Sequence, residues 1–117
     1  YRDFKFDLKS VIADNCSSSR FVLGGQAVPL EGLDLRTLGV VMEKNGEAVA
    51  IGAGAAVLGH PAAAIAMLAN HLGARGEELP AGTMILSGGV TEAVAVAAGD
   101  HVSLRIQSLG SVSLHFI

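Results

Sequence analysis

Two loops carry the polar and main-chain groups that could take part in chemistry. The first is the cluster Asp14-Asn15-Cys16-Ser17-Ser18-Ser19, which follows the apolar pair Val11-Ile12. Asp, Asn and Ser side chains bond neighbouring backbone, so such a run turns or caps the chain, and it can also present hydroxyl and amide groups to a ligand. The second is Ser87-Gly88-Gly89, at the end of the apolar run Met84-Ile85-Leu86. Two successive glycines expose backbone N–H groups with no side chain in the way, a place where main chain can approach a small anion or a keto acid. The alternative reading of the second loop is a tight bend at the end of a core strand.

The remaining reactive residue types do not converge by spacing. His60 and His71, one on each end of a predicted helix, stand about 16 Å apart at 1.5 Å per residue and cannot share one ion. His101 and His115 fall in alternating stretches and read as solvated. No C-x-x-C or H-x-x-x-H pair is present. Only Glu77 and Glu78 are adjacent among the eleven acids, and a magnesium site needs two or three convergent carboxylates. There is no G-x-S-x-G elbow, and Cys16 has no base beside it in the sequence. Gly52-Ala53-Gly54-Ala55-Ala56 lacks the third glycine and the following helix of a dinucleotide fingerprint.

The elements that must position these loops follow from periodicity. Pro61 suits a first helical turn, with Gly59 or His60 at the N-cap. Ile65, Leu68, Ala69 and Leu72 recur at helical spacing, which predicts one main helix over about 61–73. Gly73 and Gly76 offer two stops. Asn45-Gly46 between apolar runs (Leu38 to Met42, Ala48 to Ile51) is a hairpin signal, because both central positions need positive φ. Val102, Leu104, Ile106 and then Val112, Leu114, Phe116 alternate with polar residues, as antiparallel strands with one wet face do. Shorter strands are expected at Phe21-Val22-Leu23, Met84-Ile85-Leu86 and Ala93 to Val96. Tyr1 to Lys9 reads as an edge strand or an entering segment. The fold class is therefore α+β, dominated by antiparallel sheet.

Composition sets the outer bounds. The 117 residues suffice for a single domain, 1–117, and half of them are hydrophobic, with no Trp and fifteen Gly. A net charge of −3, with Lys and Arg scattered singly, excludes a nucleic-acid surface. One Cys excludes an internal disulfide and suits a reducing cytoplasm. Ala48 to Ala74 lacks charged residues, but His60-Pro61, Asn70-His71 and repeated glycines break it, so no membrane span is expected. The chain opens on Tyr1, which reads as a cut or processed piece of something longer.

At ADNCSSSRFVLGG (13–25), DLRTLGVVMEKNGE (34–47), GAGAAVLGHP (52–61) and LPAGTMILSGGVTEAVAVAAGD (79–100), the sequence resembles the carboxy-terminal part of the 2-hydroxypentadienoate hydratase and 4-oxalocrotonate decarboxylase family, within the fumarylacetoacetate hydrolase superfamily. LRTLGVVMEKNGE, GAGAAVLGHP and GSVS (110–113) are more similar to the decarboxylase branch. The resemblance implies a mixed β-sheet roll around a pocket and a divalent cation, Mg²⁺ or Mn²⁺, on carboxylates that lie upstream of Tyr1. It also implies decarboxylation of a small 2-oxo-dicarboxylate in aromatic degradation, in a homo-oligomer able to pair with the pathway hydratase. Ser17 matches the pocket serine of the A-D-N-x-S motif and is the implied catalytic and substrate-binding residue, with Asn15 beside it. A Gly-Thr-Pro turn of the wider superfamily reads Ser87-Gly88-Gly89-Val90 here, so contact at that point would come from the Ser87 hydroxyl or the Gly88 and Gly89 main chain. The alternatives are the hydratase activity and a catalytically silent scaffold.

Overall fold

The computed structural model describes residues 7–117. Its centre is a four-stranded antiparallel sheet in the order β2-β1-β3-β4, built from β1 (Gly39–Lys44), β2 (Glu47–Ala53), β3 (His101–Ile106) and β4 (Gly110–His115). The β1–β2 hairpin forms where Asn-Gly predicted it. Asn45 and Gly46 take φ of 55° and 87°, the two left-handed positions that match the twist of the flanking strands. The strands run further than their apolar cores, to Lys44 and from Glu47, so the connection is the two-residue turn alone.

Register sorts the side chains by face. Val40 lies opposite Ile106 and Met42 opposite Leu104, while Val102 and Leu104 face Leu114 and Val112. Val40 and Val102 on this apolar face, together with Leu38 and Val57, are the buried hydrophobic residues among the described ones. The other face carries Glu43 opposite Ser103, and then the pairs His101–His115, Ser103–Ser113 and Arg105–Ser111. Alternation along each strand thus separates an oily from a wet surface.

The main helix, α2 (Pro61–Gly73), also begins and ends on sequence signals. His60 is the N-cap, its Nδ1 accepting from Ala62 N–H at 3.0 Å, and Pro61 occupies the first turn, where no N–H is needed. Of the two candidate stops, Gly76 is the one used. It sits at φ 73°, with Gly76 N–H donating to Gly73 C=O and Glu77 N–H to Leu72 C=O, the paired bonds of a Schellman ending. A shorter helix, α1 (Leu8–Ala13), is capped by Asp7, which accepts from the N–H groups of Lys9 and Ser10. Residues 7–9 are therefore cap and helix, while the rest of the proposed entering strand, residues 1–6, lies outside the described residues.

Three predicted strands are not strands. Phe21–Leu23, Met84–Leu86 and Ala93–Val96 have no ladder partner among the described residues. A strand exists only through its neighbour, and apolar content alone does not supply one. Most of their side chains remain in the open, with Phe21 61% and Leu86 62% exposed, while Ile85 and Val94 are half-buried. The uncharged stretch from Gly54 to Gly73 is long and apolar enough to cross a membrane by composition. It is not one helix, however: Leu58 and Gly59 have positive φ and break it ahead of the 13-residue α2, against about 20 residues for a span.

Candidate active-site wall

The first candidate loop is a strained turn. Asn15, Cys16 and Ser17 have φ of 50°, 56° and 58°, three left-handed residues in succession and none of them Gly. Each such residue costs roughly 1–2 kcal/mol, with Asn the best tolerated. Local bonds offset part of the cost. Ser17 N–H donates to Asp14 C=O at 2.8 Å, Ser18 N–H to Asn15 C=O at 3.0 Å, and the Asn15 side-chain amide to Ser18 C=O at 3.1 Å. The turn hangs from the end of α1, where Asp14 N–H still bonds Ser10 C=O. The Ser17 hydroxyl is exposed and bonds no group among the described residues, so its donor is available to a ligand.

The second loop stands between two hollows. Ser87 is half-buried and lines an apolar cavity of about 180 Å³ with Leu38, Val40, Gly54, Val90 and Ile106 among its walls. Gly89 lies on a wider groove of about 560 Å³ between Val49–Ile51 of β2 and Val90–Val94. Gly88 has φ 130°, a conformation that favours glycine, although a Cβ there would meet only an ordinary contact, 3.6 Å from Val57 Cγ1. The N–H groups of Gly88 and Gly89 bond no described backbone or side-chain acceptor. Hence this bend offers two unused donors between Ser87 and Val90, both of which line the apolar cavity.

The turn and the bend share no hydrogen bond among the described residues, and neither cavity is lined by Asn15 or Ser17. Among the described residues no group of three or more His, Cys, Asp or Glu could hold a metal ion, so these residues do not fit a magnesium site of their own.

The glycines of 52–54 are explained by packing. A Cβ on Gly52 would lie 2.6 Å from Val90 C=O, and one on Gly54 would fall on Leu35 C=O. Gly54 N–H meanwhile donates to Leu38 C=O at 3.2 Å, and Ala55 N–H to Arg36 C=O at 2.8 Å. These contacts hold the 34–38 loop against Gly54 and the Val90 segment against Gly52, and Leu35, Leu38, Gly54 and Val90 all line the Ser87 cavity.

Two polar anchors that spacing did not reveal hold the frame. Asp34 takes the Arg36 guanidinium through Nε at 2.9 Å and Nη2 at 2.7 Å, and that pairing lowers its carboxyl to about 2. Asp100 accepts from the Asn45 side chain and from Ala97 N–H, both at 2.8 Å, with Lys44 Nζ at 3.9 Å. The Asn45 bond first, and then the Ala97 bond, hold the Asp100 carboxyl below its usual range. Asn45 also receives His101 N–H, so the hairpin turn is pinned to the start of β3.

The chain belongs to the fumarylacetoacetate (FAA) hydrolase C-terminal family, whose model matches residues 1–116. Among curated proteins it is 64% identical over all 117 residues to 4-oxalocrotonate decarboxylase of Pseudomonas putida, covering 44% of that protein. It is 43% identical over 114 residues to 2-hydroxyhexa-2,4-dienoate hydratase of Comamonas testosteroni, covering 97% of this chain and 43% of the relative. The whole chain superposes with a TM-score of 0.92, at 64% identity, on 44% of a solved 4-oxalocrotonate decarboxylase from Pseudomonas putida G7 complexed with magnesium and adipate. The chain thus spans less than half the length of the relatives it matches.

Proposed function

We propose that the protein containing this chain is a divalent-metal-dependent carboxy-lyase that converts 4-oxalocrotonate (2-oxo-3-hexenedioate) to 2-hydroxypenta-2,4-dienoate and CO₂, with this chain forming part of the pocket wall. The observation that carries the reading is the gradient of identity. It is 64% to the decarboxylase of Pseudomonas putida, but 43% and 40% to hydratases matched over nearly the same residues. The relative solved with magnesium and adipate, a six-carbon dicarboxylate like the proposed substrate, supports a Mg²⁺ or Mn²⁺ cofactor. Its ligands are assigned to groups outside the described residues, because no group of three or more acids, imidazoles or thiols among those residues fits the ion.

In this reading Ser17 and Asn15 bind substrate from the strained turn, and Ser87, Gly88 and Gly89 bind it from the bend. Strain persists where surrounding structure enforces it, and the three left-handed residues hold the Ser17 hydroxyl outward and unbonded. During decarboxylation the bond to the distal carboxylate breaks, CO₂ departs, and its electron pair enters the conjugated system toward the 2-oxygen. Donors aimed at the oxygen that gains charge stabilise that transition state most. The Ser17 O–H and the free N–H groups of Gly88 and Gly89 are donors of this kind. The apolar hollow beneath Ser87 favours loss of a charged carboxylate as a neutral gas. A cytoplasmic homo-oligomer, able to hand its dienol product to the pathway hydratase, is the assembly proposed.

The test offers the full-length protein both substrates with Mg²⁺. CO₂ release from 2-oxo-3-hexenedioate supports the reading. Water addition to 2-hydroxypenta-2,4-dienoate without CO₂ release replaces it with the hydratase.

A further inference from the structure

The geometry points to a two-imidazole clip, formed by His101 and His115 across the β3–β4 ladder, that takes a borderline divalent ion of the nickel, copper and zinc group. The two residues lie directly opposite one another in the register. Phe116 N–H donates to Asp100 C=O at 2.8 Å, which makes 100 and 116 a hydrogen-bonded position. The next pair, His101 and His115, therefore occupies a non-hydrogen-bonded position. There opposed Cα atoms approach to about 4.5 Å and the side chains stand side by side. Two imidazoles so placed present their nitrogens to a common point above the sheet.

The surroundings suit an ion. Both histidines are exposed, and neither imidazole has a hydrogen-bond partner among the described residues, so no bond is lost on ligation. The next pair on that face is Ser103 and Ser113, whose small side chains leave room for metal-bound water. Glu43 accepts from the Ser103 hydroxyl at 3.1 Å and adds negative charge to that side. Arg105, the cation of the face, is four residues along β3, about 13 Å away at strand rise. The His101 backbone is fixed, with its N–H on Asn45 Oδ1 at 2.9 Å and its C=O receiving Asn45 N–H at 2.8 Å. One half of the clip is thus pre-organised. His115 lies on the outer strand of the sheet, where the ion has access. Neutral imidazole favours Ni²⁺, Cu²⁺ and Zn²⁺ over hard cations such as Mg²⁺, and water fills the positions two histidines leave open.

The test is equilibrium binding of Ni²⁺ by the full-length protein with Mg²⁺ at saturation, so that any carboxylate site is already filled. The wild type is compared with His101→Gln and His115→Gln, and with His71→Gln as control. Both clip residues are exposed, and matched circular dichroism verifies that the variants fold. The expected result is one Ni²⁺ bound by the wild type and the control, with affinity about tenfold or more weaker in either clip variant, because a chelate becomes a single ligand. Ring ¹⁵N shifts on Ni²⁺ or Zn²⁺ addition should be confined to these two histidines. No Ni²⁺ uptake by the wild type, or equal uptake by wild type and both clip variants, overturns the proposal.

Discussion

Gly54→Ala is the perturbation whose outcome the packing defines most sharply. A Cβ at this position would fall on the carbonyl oxygen of Leu35, with Leu35 C at 2.9 Å, so no rotamer change relieves the clash. The 34–38 loop must retreat. In doing so it weakens two backbone bonds, Gly54 N–H to Leu38 C=O and Ala55 N–H to Arg36 C=O, and lifts the buried Leu38 from the core. Overpacking of this kind costs about 1–3 kcal/mol, and each bond about 0.5–1.5 kcal/mol more, so roughly 2–6 kcal/mol in all. That is a large share of the 5–15 kcal/mol typical of a domain. Urea unfolding, with a slope of about 1–3 kcal/mol/M, should show a midpoint lower by about 0.7 M or more. Gly24→Ala is the control, since nothing lies within 4 Å of its Cβ. It should be neutral or raise stability by up to about 1 kcal/mol. If Gly54→Ala unfolds within about 0.5 kcal/mol of wild type, the close approach is not as described and the wall of the Ser87 cavity is misplaced.

Two further outcomes follow from the anchors. Asp100 has a lowered carboxyl value, so its ionised form contributes stability above the ordinary carboxylate range, and that contribution disappears as pH falls through the lowered value. Asp100→Asn should therefore be less stable than wild type at about pH 7, with the gap in urea midpoint narrowing as pH falls below the ordinary carboxylate range; a gap constant with pH refutes the assignment. His60→Ala removes the side-chain cap of α2 and should cost about 1 kcal/mol, while His60→Asn, an effective cap, should restore it. Equal unfolding of all three proteins would show that the Nδ1 contact is idle.

What could be read in the sequence was local. Asn45-Gly46, Pro61, Gly76 and the alternation from Val102 to Phe116 each act within a few residues, and each does in the structure what its spacing implied. Non-local terms were hidden. Met84–Leu86 and Phe21–Leu23 have strand-like composition, but pairing depends on a distant neighbour. The purpose of Gly52 and Gly54 lay in Val90 and Leu35, which no local motif links to them. Spacing placed His101 and His115 on a wet face, but their opposition needed the register. The left-handed run at 15–17 had one legible signal, Asn15. Cys16 and Ser17 stood in the polar cluster 14–19, which implied a turn but not a left-handed one, and the family's A-D-N-x-S motif singled out Ser17.

In the proposed function this chain contributes donors to a keto-acid pocket whose cation is held by other residues. The most direct measurement of that role is CO₂ release from 2-oxo-3-hexenedioate by the full-length Ser17→Ala variant, with Mg²⁺ affinity determined alongside. In this variant kcat should fall by about ten- to a thousandfold, the range of one lost donor, while Mg²⁺ affinity stays at the wild-type value. Wild-type turnover in a folded variant would remove Ser17 from the site, and a parallel loss of Mg²⁺ would place the cation on this chain after all.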